Sequence, residues 1–267
     1  MITIVFGKPG AGKTAYLTAD AVKYMNGSAE CLDLLERSRA EVERLNNGFS
    51  LPSLSPVYSN YPITVPCGYG KRRVSFYIDG FRLGLDNESL GVFHVPPCSR
   101  IYLSEAQRYY NSRNSRDFPD WVSRFFEEHR HFNLNIFLDV QRPGLVDVNI
   151  RDLCDRFLEV VELNHEYDNV GNILATNFIL REFSDWKYVD KYLSGGEYTG
   201  EFTRERFIGN VFENYESRSY FNVFLPPEDR DFNYVTHPIG NVEAERQFAY
   251  QFYPQVAPEG FYKGKNK

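Results

Sequence analysis

Met1-Ile-Thr-Ile-Val-Phe-Gly-Lys-Pro-Gly-Ala-Gly-Lys-Thr-Ala15 is the stretch that decides the fold of this chain. Its residues 2–6 form a β-branched and aromatic run, which predicts a buried strand. The run leads directly into Gly7-Lys-Pro-Gly-Ala-Gly-Lys-Thr14, a complete match to the phosphate-loop pattern G-x-x-x-x-G-K-[ST]. Because a strand is predicted before this loop and a helix after it, a nucleoside-triphosphate site is favoured over a glycine-rich turn that fits by chance.

The spacing of this loop has a physical reason. Glycines at positions 7, 10 and 12 let backbone N–H groups point inward around a phosphate, where Cβ atoms would obstruct the approach. The following helix adds the positive end of its dipole. Lys13 is predicted to neutralise the β- and γ-phosphates, and the Thr14 hydroxyl to ligate Mg²⁺. ATP and Mg²⁺ are thus the predicted ligands, and the predicted nucleotide-binding residues are Gly7, Lys8, Pro9, Gly10, Ala11, Gly12, Lys13, Thr14 and Ala15.

A second strand is predicted to bring a carboxylate beside this loop. In Ser99-Arg-Ile-Tyr-Leu-Ser-Glu-Ala-Gln107 an apolar strand ends at Glu105, where a carboxylate can polarise the attacking water or help to hold Mg²⁺. Glu105 is therefore a candidate catalytic residue, and a surface glutamate at a strand end is the alternative. The usual preceding aspartate is replaced by Ser104, so we expect the metal to be ligated through the Ser104 hydroxyl or through a water.

A further strand is predicted over residues 133–140, and it ends at Gln141-Arg-Pro143. A polar residue at the end of a strand that neighbours the acidic strand can sense the γ-phosphate. Gln141 is therefore a further candidate catalytic residue, with an ordinary loop glutamine before a proline as the alternative. If Glu105 is structural, Asp139 at the end of this strand becomes the better catalytic candidate.

The composition is typical of a globular protein in a reducing compartment. The chain has 267 residues, of which 42% are hydrophobic and 25% are charged, as in ordinary soluble domains. Its net charge of −6 argues against a uniformly basic nucleic-acid-binding protein. Its four cysteines show no C-x-x-C spacing, so neither a zinc site nor a disulfide framework is implied. No stretch reaches the about 18 apolar residues of a membrane span, and we expect a cytoplasmic location.

The rest of the chain predicts alternating helices and strands. Helices are predicted over residues 14–25, 28–45, 119–131 and 148–154. A short strand is predicted at residues 57–60, and residues 65–95 predict a hairpin or an irregular excursion. A second hairpin is predicted from residues 156–166 and 172–183, with its turn at 168–171. Beyond residue 196 no clear periodicity is visible, and residues 258–267 predict a partly disordered tail.

Taken together, these motifs resemble the Zot-type (zonular occludens toxin domain) assembly ATPases of filamentous phages. The matching pieces are Gly7 to Thr14, Val57-Tyr-Ser-Asn60, Leu103-Ser-Glu-Ala-Gln107 followed by Arg113, His129-Arg-His131, Val140-Gln-Arg-Pro143 and Val211-Phe-Glu-Asn-Tyr-Glu-Ser217. The resemblance implies an α/β fold with a RecA-like P-loop NTPase core, in which helices flank a mostly parallel central sheet. A β-hairpin and an irregular C-terminal extension are expected in addition. The Zot-like domain is expected over residues 1–220, and an aromatic and polar extension over 221–267.

The resemblance also implies an ATP-driven role in phage morphogenesis. It predicts a homo-oligomeric ring, expected to be a hexamer, that acts with viral DNA or virion assembly proteins in the host cytoplasm. The membrane span that usually follows the ATPase domain is absent from this chain. The chain is therefore expected to be either a cytoplasmic fragment that acts at an inner-membrane assembly complex or a packaging ATPase of a non-filamentous phage, which translocates DNA into a capsid.

An arginine delivered by a neighbouring subunit is expected to complete the site. P-loop hydrolases often need a cation at the γ-phosphate in the transition state. Arg113 stands where the resembling family carries an arginine, in a polar stretch without a core pattern. Arg116 and Arg130 are the next candidates, and a surface arginine in a salt bridge is the alternative.

Two other classes of function stay open on the sequence. A nucleotide-dependent interaction protein would bind ATP to control assembly and would hydrolyse it negligibly. A small-molecule kinase is less favoured, because nothing in the sequence resembles an acceptor-binding lid of clustered arginines. The presence or absence of ATP turnover separates the first of these from a motor ATPase.

Overall fold

The computed structural model describes residues 1–25, 57–68, 71–78, 80, 95, 99–113, 120–198, 200 and 202–215. The strands of this part are β1 (Ile2–Phe6), β2 (Val57–Ser59), β3 (Thr64–Gly68), β4 (Lys71–Val74), β5 (Phe76–Tyr77), β6 (Arg100–Leu103), β7 (Asn135–Val140), β8 (Arg156–Tyr167), β9 (Ile173–Phe183) and β10 (Phe202–Ile208). Its helices are α1 (Lys13–Met25), α2 (Asp120–Glu128), α3 (Val148–Asp152) and α4 (Trp186–Leu193). Single 3₁₀ turns cover Ala106–Arg108, Pro143–Leu145 and Val211–Glu213.

An eight-stranded sheet organises the molecule, with the strand order β10-β9-β8-β1-β7-β6-β2-β5. The six strands from β8 to β5 in that order are parallel to their neighbours, whereas β9 and β10 are added antiparallel at one edge. β1 therefore lies inside the parallel part, and β7 separates it from β6. The predicted fold class, α/β with a mostly parallel central sheet flanked by helices, is confirmed.

The central strand β1 is buried on both faces, as its β-branched and aromatic sequence predicts. Ile2, Ile4 and Phe6 face a cluster that α2, α3 and α4 cover, and Val5 faces a second cluster that α1 covers. Parallel strands need this two-sided cover because their crossover connections place helices on both faces of the sheet. The loop after β1 is consequently anchored to a strand that is buried along its whole length.

The elements predicted along the chain are confirmed where the structure describes them. α1, α2 and α3 occupy three of the four predicted helical segments, and β2 lies in the predicted strand at 57–60. β8 and β9 form the predicted hairpin, in whose turn the Asp168 carboxylate accepts the N–H groups of Val170 and Asn172 at 2.9 and 2.8 Å. β3 and β4 form a separate hairpin within the segment predicted to be a hairpin or irregular, and β5 joins the edge of the large sheet.

The chain after residue 183 is more regular than its sequence predicts. The helix α4 follows an N-cap at Asp185, whose side chain accepts the N–H of Lys187, and β10 then pairs along the whole of its length with β9. The predicted helix over 28–45, Arg116, the domain boundary at 220 and the predicted tail lie outside the described residues. Within the described residues, no helix is long and apolar enough to cross a membrane.

Candidate nucleotide-binding site

The phosphate loop joins β1 to α1 at the carboxyl end of the sheet, and its backbone needs glycine at two crowded positions. Gly7 has a φ of 151°, and a Cβ atom there would lie 2.7 Å from the backbone oxygen of Val160 on β8. Gly12 has a φ of 96°, and a Cβ atom there would lie 2.7 Å from Leu163. The Gly12 oxygen accepts the N–H of Tyr16 at 2.8 Å, so α1 begins directly out of the loop. The loop is therefore pressed against β8 in a conformation that side chains would obstruct.

A cavity of about 580 Å³ lies over this loop. Its volume is in the range of small-molecule and cofactor sites. It brings together residues from the loop, from the ends of β6 and β7, from β8 and from the last described segment. They are Pro9, Gly10, Ala11, Gly12, Lys13, Thr14, Ala15, Glu105, Gln141, Val161, Glu162, Leu163, Phe212 and Tyr215. Of the predicted nucleotide-binding residues, Gly7 and Lys8 are outside this lining, and the Lys8 oxygen accepts the Ala11 N–H at 3.1 Å within the loop.

Lys13 and Thr14 begin α1 with their side chains directed into the site. Lys13 is 7% exposed, its Nζ donates to the Lys8 oxygen at 3.3 Å, and it lies 3.9 Å from Asp139 Oδ1. Thr14 Oγ1 donates to Asp139 Oδ2 at 2.8 Å and lies 3.3 Å from Ser104 Oγ. The predicted ammonium and the two predicted metal-ligating hydroxyls are thus neighbours.

Asp139 contacts both of these hydroxyls. It was expected only as a substitute for Glu105, yet its carboxylate contacts Thr14 and also accepts the Ser104 hydroxyl at 3.1 Å. Burial raises the pKa of the Asp139 carboxyl to about 6, and the Lys13 ammonium opposes that rise. The signal in the sequence is an acidic residue inside the apolar run of residues 136–140.

Glu105 lies on the same cavity, directly after β6, with an unusual backbone. Its φ of 54° and ψ of 42° place a non-glycine residue in the left-handed region, which costs free energy and is concentrated at functional sites. Its carboxylate accepts a hydrogen bond from the Gln107 side chain. Gln141 reaches the cavity from the end of β7 and is exposed. The strand ends therefore bring both predicted catalytic side chains to the loop.

The predicted arginines are elsewhere. Arg113 is exposed and lies outside the cavity lining, although its neighbour Ser112 donates to the Gly144 oxygen at 3.4 Å, close to the end of β7. Arg130 forms an ion pair with Asp155, whose other oxygen accepts the Ile2 N–H at the amino end of β1. Arg130 thus lies at the end of the sheet away from the phosphate loop.

An aromatic wall that sequence reasoning did not predict closes one side of the cavity. The segment after β10 places Phe212 and Tyr215 on the lining, and Val211 anchors it in the core. Asn214 fixes it to β3, since its side chain donates to the Thr64 oxygen at 2.8 Å. Burial raises the pKa of Tyr215 to about 12, with the Asp139 charge adding to the rise. An apolar, aromatic wall suits the flat face of a base.

The side chains at the loop also fit Mg²⁺. In the part of the chain that the structure describes, no group of three or more His, Cys, Asp or Glu could hold a metal ion alone. Mg²⁺ is bound in nucleotide sites by one or two carboxylates together with substrate phosphates, and it prefers oxygen ligands. The oxygens of Thr14, Ser104 and Asp139, clustered within hydrogen-bonding distance of one another, are such donors.

Residues 99–165 match the family model of zonular occludens toxin (Zot). The matched segment contains β6, Glu105, Arg113, α2, β7 and Gln141, and it begins after the phosphate loop. The resemblance to the Zot family is confirmed over this segment. None of the curated proteins matches the chain.

Several solved structures resemble this one at low identity. The crystal structure of the N-terminal domain of zonular occludens toxin from Neisseria meningitidis is 18% identical, with a TM-score of 0.46, and the match covers 80% of this chain and 98% of that chain. The genome-packaging NTPase from Sulfolobus turreted icosahedral virus 2, solved with ATP-gammaS, is 11% identical, with a TM-score of 0.35 over 78% of this chain and 97% of that one. The DNA-packaging ATPase from Sulfolobus turreted icosahedral virus is 14% identical, with a TM-score of 0.34 over 72% and 82%.

Proposed function

We propose that this protein binds ATP with Mg²⁺ at the loop between β1 and α1 and hydrolyses it. The observation that carries the proposal is one cavity lined by Pro9 to Ala15, from the loop and the start of α1, and by Glu105 and Gln141. These residues come from three strand ends of one parallel sheet, the place where α/β folds bind their ligands.

Each side chain has a role that its position supports. The loop N–H groups and the start of α1 hold the phosphates, and Lys13 neutralises their charge. Glu105 orients the attacking water and accepts its proton, and Gln141 contacts the γ-phosphate from the neighbouring strand. When bound, Mg²⁺ supplies further neutralisation of the phosphate charge. The aromatic wall at Phe212 and Tyr215 receives the base.

The experiment that tests this function is phosphate release from ATP by the full chain, with Mg²⁺ or with EDTA. A turnover that requires Mg²⁺ supports an ATPase. Binding of ATP without turnover under any condition would contradict the enzyme and favour a nucleotide-dependent interaction protein. Addition of a phosphate-acceptor mixture gives no increase if the protein is a hydrolase, whereas a small-molecule kinase would label an acceptor.

The finer proposal is a motor for bacteriophage morphogenesis that drives assembly and extrusion of filamentous virions. The match of residues 99–165 to the Zot family and the motif order of the whole chain support it. The second candidate is a packaging ATPase that translocates viral DNA into a capsid. Turnover stimulated severalfold by double-stranded DNA would favour packaging, and turnover indifferent to DNA would favour assembly and extrusion through virion proteins.

We also propose that the active species is a homo-oligomeric ring, with a hexamer as the expected form, in the host cytoplasm or at the cytoplasmic face of the inner membrane. Two observations on Arg113 support an arginine that acts in trans. Arg113 is exposed on the polar segment that contacts Gly144 near the end of β7, and it does not reach the cavity of its own chain. A neighbouring subunit would then receive its guanidinium at the γ-phosphate.

A further inference from the structure

We propose that Asp139 on β7 supplies the metal-binding carboxylate that position 104 on β6 lacks. The inference rests on the proposed function, because it concerns the Mg²⁺ that accompanies the nucleotide. In P-loop NTPases this ion is held by the Ser or Thr of the loop and by an aspartate at the end of a core strand. Here Ser104 occupies the position where the sequence leads us to expect that aspartate, and a carboxylate occurs on the strand between β6 and β1 instead.

The register of the sheet places the two positions side by side. Leu103 pairs with Leu138, so the next residues, Ser104 and Asp139, are neighbours at the carboxyl ends of their strands. Asp139 also pairs with Val5 of β1. Because neighbouring strands are about 4.8 Å apart, Asp139 is one strand spacing nearer than position 104 to the loop that follows β1.

The contacts of one carboxylate oxygen tie Asp139 to the predicted metal ligand. Oδ2 accepts the hydroxyl of Thr14 at 2.8 Å and that of Ser104 at 3.1 Å. Because the Asp139 carboxylate is hydrogen-bonded to the Thr14 hydroxyl, it lies within reach of a metal ion that this hydroxyl ligates. Ser104 then acts as a donor that orients Asp139, and the carboxylate provides the negative charge.

The other carboxylate oxygen points to a ligand. Asp139 is 1% exposed, and its Oδ1 receives no hydrogen bond from the residues that the structure describes. Lys13 Nζ, at 3.9 Å, is too distant for one. A buried carboxylate oxygen without a donor is costly, and coordination of a divalent cation would satisfy it.

The test is the effect of Mg²⁺ on nucleotide affinity, measured as the Kd of a fluorescent ATP analogue with Mg²⁺ and with EDTA. For Asp139→Asn we expect the Mg²⁺-dependent gain in affinity to fall by about tenfold or more, with the affinity in EDTA close to that of the wild type. Ser104→Ala should keep most of the gain, because it removes no charge. Asp147→Asn, at a buried aspartate that caps α3, is the matched control and should keep all of it.

The outcomes separate the inference from the proposed function. A full Mg²⁺-dependent gain in Asp139→Asn, or an equal loss with Mg²⁺ and with EDTA, would overturn the inference and leave nucleotide binding intact. No binding by the wild type in either condition would overturn the proposed function and this inference with it. If Asp139→Asn fails to fold, the double variant Ser104→Asp, Asp139→Ser returns the carboxylate to β6. Recovery of the gain there supports a metal-binding role, and a folded double variant without any gain contradicts it.

Discussion

At the scale of the single residue, Glu105 is the side chain on which turnover is expected to depend. It lies on the lining of the cavity with a φ of 54°. This left-handed backbone conformation costs conformational free energy, and it persists only because the surrounding structure holds it in place. We expect Glu105→Gln to keep ATP binding and to lower turnover by about a hundredfold, as for the loss of a positioned base. Phosphate release and analogue binding measure the two effects.

The matched control for Glu105 is Glu162→Gln. Glu162 lines the same cavity from β8 and is exposed, so this variant removes a similar charge without removing the proposed base. Its turnover should stay close to that of the wild type. Equal turnover in the wild type and in Glu105→Gln would mean that Glu105 is structural.

The residues of the site differ in how far the sequence could predict them. Gly7, Gly12, Lys13 and Thr14 follow from a local pattern, because these four positions of a phosphate loop are restricted to Gly, Gly, Lys and Ser or Thr. The importance of Asp139 does not, because its contact with Thr14 spans 125 positions and depends on which strands are neighbours. Glu105, after β6, is equally compatible with the sequence as the carboxylate at the metal, and it is the contacts of Asp139 with Thr14 and Ser104 that favour β7.

At the scale of the element, a buried ion pair fixes α1 against β6. Arg100 on β6 donates to the Asp20 carboxylate at 2.6 Å, Tyr102 donates to the same oxygen at 2.6 Å, and the guanidinium lies 3.5 Å from the ring centre of Tyr24. These contacts hold the helix that carries Thr14 against the strand that ends one residue before Ser104. The relative position of the two hydroxyls therefore depends on this network.

We expect Asp20→Asn to lower the free energy of unfolding by about 3 kcal/mol, because it leaves the Arg100 charge buried without its partner. Denaturant titration measures the change. The control is Glu182→Gln, which removes the partner of Arg156 at a more exposed position and should cost less than about 1 kcal/mol. Equal losses in the two variants would contradict the buried network.

β10 shows why some elements escape prediction. Its residues Phe202 to Ile208 are mostly exposed, so they carry no alternation of apolar and polar side chains. Their extended form comes from backbone pairing with β9, which a local pattern does not report. The buried strand β1 is predicted for the opposite reason, because its side chains are β-branched or aromatic and form a run that a local pattern reports.

At the scale of the whole molecule, the proposed ring makes each site a shared one. If Arg113 acts in trans, Lys13→Ala and Arg113→Ala should each be inactive alone, and a mixture should regain part of the activity at sites that combine an intact loop with an intact arginine. Phosphate release from verified mixed oligomers measures the recovery.

The control for the ring is a mixture of Lys13→Ala with Glu105→Gln. Lys13 and Glu105 belong to the cavity of one chain. Each subunit of this mixture therefore keeps a defective cavity, whichever neighbour supplies Arg113. Any activity that the mixture recovers should be far smaller than in the first mixture. Absence of recovery in the first mixture, or full activity of a dilute monomer, would contradict the arginine in trans and leave the nucleotide site itself untouched.

The most direct measurement is calorimetric titration of a non-hydrolysable ATP analogue into the wild type and into Lys13→Ala. We expect the wild type to bind and the variant not to bind, because the loop of the variant lacks the charge that faces the β- and γ-phosphates. Lys187→Ala, at an exposed lysine of α4 outside the cavity lining, controls for the loss of one positive charge and should bind as the wild type does. Unchanged affinity in a folded Lys13→Ala protein would contradict the assignment of the nucleotide site to this loop.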